Sequence, residues 1–110
     1  MVDAFKWIKR YIEEVSYKWS PRSKALEKSK RPSQLKDKRT RYQYQCNHCK
    51  VWFKRKEVQI DHIIPKGLYS KETFFIWLDR LFCEESGFQV LCIPCHLKKT
   101  NKEKKEGAYK

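Results

Sequence analysis

Four cysteines stand in two Cys-x-x-Cys pairs, Cys46 with Cys49 and Cys92 with Cys95; the dipeptide Asp61-His62 lies between the pairs, and His96 directly follows the second. Two such pairs supply the four thiolates of a closed tetrahedral zinc site, with each sulfur about 2.3 Å from the ion. A closed four-thiolate sphere leaves no position for substrate, so the expected role of Zn²⁺ is structural, tying the first turn to the start of the last helix. The fifth cysteine, Cys83, reads as a small buried hydrophobe, and His48, inside the first pair, as an exposed side chain. Asp61, His62 and His96 form a second cluster. A carboxylate and an imidazole can hold a divalent cation that neutralises phosphate charge, while a second, neutral imidazole takes a proton from water. These are the groups that phosphodiester hydrolysis needs.

The stretches Cys46-Asn47-His48-Cys49, Ile60-Asp61-His62-Ile63-Ile64-Pro65 and Val90-Leu91-Cys92-Ile93-Pro94-Cys95-His96, followed by Lys99-Thr100, together form a pattern that resembles the HNH, or ββα-metal, endonuclease family. The resemblance spans roughly residues 42–102, and the basic segment ahead of it is similar to that of small HNH enzymes encoded by tailed bacteriophages. It implies that His62 is the general base, that Asp61 and His96 are ligands of a catalytic Mg²⁺ or Mn²⁺, and that the substrate is DNA. It also implies products ending in a 5′-phosphate and a 3′-hydroxyl. One position departs from the pattern. Gly87 stands where the family has its middle Asn, a residue that resembles a brace for the loop between two strands. Ser86 or Gln89 are the expected substitutes, and Gly87 suits a tight turn. The departure is also the ground for the alternative, a catalytically degraded HNH-fold zinc module that binds DNA or a protein partner without cleaving.

The elements that must position these residues follow from patterning. Phe5, Ile8, Ile12, Val15 and Trp19 recur at helical spacing and predict an amphipathic helix over 2–19, ended by Ser20 and Pro21. Its length argues for packing on its own domain and against a sustained coiled coil. Residues 22–44 carry dense positive charge, including Lys36, Lys38, Arg39 and Arg41, and predict an electrostatic arm for DNA phosphates, with a short helix over 25–35 interrupted near Pro32. Lys98 and Lys99 on the last helix are expected to share that task. Alternation over 58–63 predicts a strand that Pro65 and Gly67 end; Ser70 is the expected cap of a core helix containing Phe74, Trp77, Leu78 and Leu81. A second strand is expected over 89–92, and Pro94 opens a helix running to Glu106.

A chain of 110 residues suits one domain, here expected as α+β: a ββα-metal core over 45–106, an N-terminal helix over 1–20, a basic arm over 21–44 and a tail at 107–110. With 35% charged residues, burial alone leaves such a core marginal, and metal is the expected supplement. A formal charge of +13 implies a polyanionic partner, nucleic acid in preference to a membrane surface, since no apolar anchor accompanies it. The expected setting is the reducing cytoplasm, where paired cysteines bind metal more readily than they form disulfides. Other readings fail on chemistry. Cys92-Ile93-Pro94-Cys95-His96 also fits a haem-attachment pattern, yet that leaves the first cysteine pair without a purpose; a zinc deaminase needs Glu where Ile64 stands. Both a monomer and a homodimer are compatible with the sequence.

Overall fold

The computed structural model describes residues 3–106; Met1, Val2 and the expected tail at 107–110 lie outside the described residues. The carboxylate of Asp3 accepts hydrogen bonds from the backbone N–H groups of Phe5 and Lys6 and so caps α1 (Ala4–Ser16). α1 ends three residues before the expected Trp19. The Ser16 hydroxyl bonds back to the Glu13 carbonyl at 2.5 Å, a local bond that competes with continuing the helix. Ser20 and Pro21, expected to end a helix, instead begin one, α2 (Ser20–Lys28). Proline suits that place because an N–H in the first turn would have no partner within the helix. Trp19, between the two helices, stays exposed but is anchored at one edge: its indole N–H donates to the Cys83 carbonyl at 2.6 Å and its ring meets Phe82 edge-on.

The basic segment is folded into regular elements. Where a broken helix was expected near Pro32, β1 (Lys30–Pro32) pairs antiparallel with β2 (Tyr42–Gln45), Lys30 opposite Tyr44, and β3 (Trp52–Phe53) completes the sheet in the order β1-β2-β3. Pro32 is tolerated because β1 is an edge strand. Gln43, buried in β2, accepts hydrogen bonds from Arg31 and from the backbone of Gln34, and the Arg31 guanidinium lies 4.0 Å from the centre of the Trp52 ring. Arg31 thus lies in the seam with its Nε buried, while Lys36 and Lys38 stand exposed in the loop beyond it.

The second sheet pairs β4 (Val58–His62) with β5 (Phe88–Cys92), antiparallel, with Asp61 opposite Gln89 and His62 opposite Phe88. Gly67 takes a left-handed φ of 77° just after β4. α3 (Phe74–Leu81) buries Trp77 and Leu81, while Phe75 and Ile76 face outward. Thr73 is its cap residue; Ser70, the expected cap, bonds the Thr73 backbone and closes the turn before it. α3 also receives α1: Phe5 stacks on Tyr69 at 4.3 Å between ring centres and meets Phe74 edge-on. α4 (Ile93–Lys105) leaves β5 directly, with Pro94 in its first turn. The described residues thus form a small α+β fold of four helices and two small sheets, with Cys46, Leu91 and Cys92 in a core cluster against Phe53 and Cys95. No helix among the described residues is long and apolar enough to cross a membrane.

Candidate metal centre and active site

Cys46 and Cys49 lie in the turn between β2 and β3, Cys92 ends β5, and Cys95 stands in the first turn of α4. The turn is tight. Lys50 adopts a left-handed φ of 63°, which lets its N–H reach the Cys46 carbonyl and lets Val51 accept from Cys46, each at 3.0 Å. Asn47 then docks the turn on β5 through the Val90 carbonyl at 2.7 Å. As a result the four sulfurs lie within 4.8 Å of one another, with all four thiols free. Sulfurs placed tetrahedrally around an ion at about 2.3 Å are about 3.8 Å apart, and Cys49 and Cys92 are separated by 3.9 Å. Burial opposes ionisation of Cys46, but N–H donors from Cys49, Cys92 and His48 bring its thiol down to about 6. Cys95 is pushed up to about 12 by its bond to Cys92, by burial and by the charge on Cys46. The geometry positions these four cysteines to bind a metal ion, whose charge would favour their thiolates.

Asp61, His62 and His96 converge on one cleft of about 230 Å³, whose walls also carry Arg22 and Lys66. Asp61 is buried, and its two oxygens have different partners. Oδ2 accepts from Gln89 at 2.9 Å and from Lys99 at 3.2 Å; Oδ1 faces His96 Nε2 at 3.5 Å. The ring of His62 lies across Phe88, with its Nε2 3.0 Å from the Leu81 carbonyl. A carbonyl only accepts, so Nε2 carries the hydrogen and Nδ1 keeps a free lone pair. Burial first, and then the positive charges of Arg22 and Lys66, hold this imidazole below its ordinary value against the opposing pull of Leu81 and Asp61. These effects favour the neutral form of the His62 imidazole.

Other residues named from the sequence fall elsewhere. Arg39 and Arg41 line a separate basic groove of about 510 Å³ with Tyr42, Lys54, Arg55 and Lys56, while Lys36 and Lys38 are exposed in the β1–β2 loop. Lys98 borders a third hollow beside Asn47 and exposed His48. Lys99 is not a free phosphate donor in this structure: it turns inward to the His62 carbonyl at 3.0 Å, to Asp61 and to the Glu103 carboxylate. Cys83 is half-buried, and it explains Gly87. A Cβ at Gly87 would lie 2.6 Å from the Cys83 sulfur, while the glycine's φ is outside the left-handed region. Close approach to Cys83, and not a left-handed φ, favours glycine there, because a Cβ would force the Cys83 side chain to shift. Gln89 links the two sites, accepting from Asn47 at 2.8 Å while donating to Asp61; Ser86 is exposed. The cross-strand register hides this relay from the sequence, as does the fold that brings Arg22 to the cleft. No protein-family model, curated protein or solved structure matches the chain.

Proposed function

We propose that this protein is an HNH-type endonuclease that hydrolyses phosphodiester bonds of DNA, with a structural zinc ion in its four-cysteine site. The observation that carries the reading is the cleft where Asp61 Oδ1 and His96 Nε2 face each other beside a His62 whose tautomer is set by Leu81. Asp61 and His96 would hold Mg²⁺ or Mn²⁺, which when bound neutralises charge on the phosphate and on the departing 3′ oxygen. His62 takes the proton of the attacking water at Nδ1, and the Leu81 carbonyl, bonded to the opposite nitrogen, steadies the imidazolium that forms. Gln89 and Lys99 occupy Oδ2 of Asp61 and leave Oδ1 to work with His96. The groove of Arg39, Arg41, Lys54 and Arg55 binds the backbone of the duplex. Gly87, the sequence ground for a non-cleaving module, has a packing reason in Cys83, and Gln89 ties Asp61 to Asn47 of the cysteine turn.

The test incubates zinc-loaded protein with supercoiled plasmid and Mg²⁺ or Mn²⁺, beside His62→Ala. Nicked or linear product from the wild type alone is expected, because His62→Ala removes the base and leaves the cysteine site intact. A mobility shift without cleavage by either protein would replace the nuclease with a DNA-binding zinc module.

A further inference from the structure

We propose that Arg22 is a substrate-contacting residue of this cleft, its guanidinium binding a phosphate of the DNA as the α1–α2 corner closes one wall of the active site. The substrate rests on the nuclease reading; the anion-binding role of Arg22 rests on its own surroundings. Arg22 lines the same cleft as Asp61, His62 and His96 and is partly buried there. Lys66, the other strong cation in that wall, is neutralised by Glu13. Among the described residues, no carboxylate lies within ion-pair distance of Arg22, although Asp61 acts on it through space.

Three features make this position costly for a cation and favourable for an anion beside it. Burial holds the Arg22 guanidinium below its ordinary value, and the like charge of Arg55 adds to that effect. The residue also sits in the first turn of α2, where the partial positive charge of the helix end repels it. A phosphate oxygen would relieve both repulsions and accept two N–H bonds from the planar fork. The ring of Tyr17, 4.7 Å from the guanidinium carbon, provides a platform that holds the fork in place. Arg55, which also lines the groove containing Arg39 and Arg41, connects that groove electrostatically to the cleft.

The test has two arms. In the first, duplex DNA binding is followed by fluorescence anisotropy against salt, without divalent cations, for His62→Ala and His62→Ala/Arg22→Gln. The second measures single-turnover plasmid cleavage at saturating protein for wild type, Arg22→Gln and Arg22→Lys. Loss of one phosphate contact is expected to reduce the slope of log K against log salt by about one. Cleavage by Arg22→Gln should fall about 100-fold, with Arg22→Lys recovering part of the rate and both variants melting with the wild type. An unchanged salt slope overturns the proposal, including the case in which a slower rate comes only with a lowered melting temperature. If the wild type binds DNA but does not cut, the nuclease reading falls while the slope still decides the role of Arg22; absence of DNA binding overturns both.

Discussion

His62 is the residue on which the proposed chemistry turns, and its surroundings determine the pH at which it works. A general base must be neutral to act, and burial depresses this imidazole below 6.5. Cleavage is therefore expected to be lost as pH falls through a midpoint lower than 6.5 and to be level above it. Single-turnover rates across about pH 5 to about pH 8 check this, and a midpoint above the ordinary imidazole value would contradict it. Stability follows the same sign: the unfolded chain takes up a proton that the fold resists, so this contribution is present above 6.5 and lost as pH falls. Gly87 makes a second prediction at this scale. The added methyl of Gly87→Ala meets the Cys83 sulfur at 2.6 Å, an overpacking expected to cost about 1–3 kcal/mol. Urea unfolding should show that loss, and Cys83→Ala in the same chain should recover most of it. Equal destabilisation in the double variant would mean that Gly87 is needed for another reason.

The metal turn between β2 and β3 contains a strained residue, Lys50, at a φ of 63°. The left-handed conformation costs a side-chain-bearing residue about 1–2 kcal/mol, whereas glycine carries an entropic cost of about 0.5–1 kcal/mol. Lys50→Gly is thus expected to stabilise the folded protein by about 0.5 kcal/mol, read as a rise in Tm. A fall would mean that the Lys50 side-chain bond to Asn47, at 3.3 Å, outweighs the backbone term. The same turn shows how elements couple the two sites. Asn47 bonds β5 through its backbone and Gln89 through its side chain, and Gln89 holds Asp61 on β4. Two side-chain hydrogen bonds thus connect the cysteine turn to the carboxylate.

At the scale of the whole molecule, the cysteine cluster joins elements that are distant in sequence. Chelation of the proposed zinc, or Cys46→Ser, is expected to abolish cooperative unfolding, because four thiolate ligands from two segments would hold β2, β5 and α4 together around the ion. Circular dichroism after chelation checks this; an apo protein retaining its helical signal and a sharp transition would remove the structural role. The cysteine pairs, the Asp-His dipeptide and the place of His96 beside Cys95 were legible in the sequence, as were β4, β5 and α4. Each depends on spacings of a few residues, which turn and strand geometry convert directly into position. The Ser20-Pro21 dipeptide was ambiguous because proline suits either side of a helix boundary, and packing of Trp19 against Cys83 and Phe82 accompanies the start of α2 there. Charge over 22–44 concealed β1 and β2, since lysines and arginines do not prevent a seam from forming around Gln43. Tertiary structure alone placed Arg22 in the cleft, turned Lys99 toward Asp61 and set Cys83 against Gly87. Contacts of this kind depend on how separate elements pack and on the register between strands, neither of which is carried by the local periodicity of the chain.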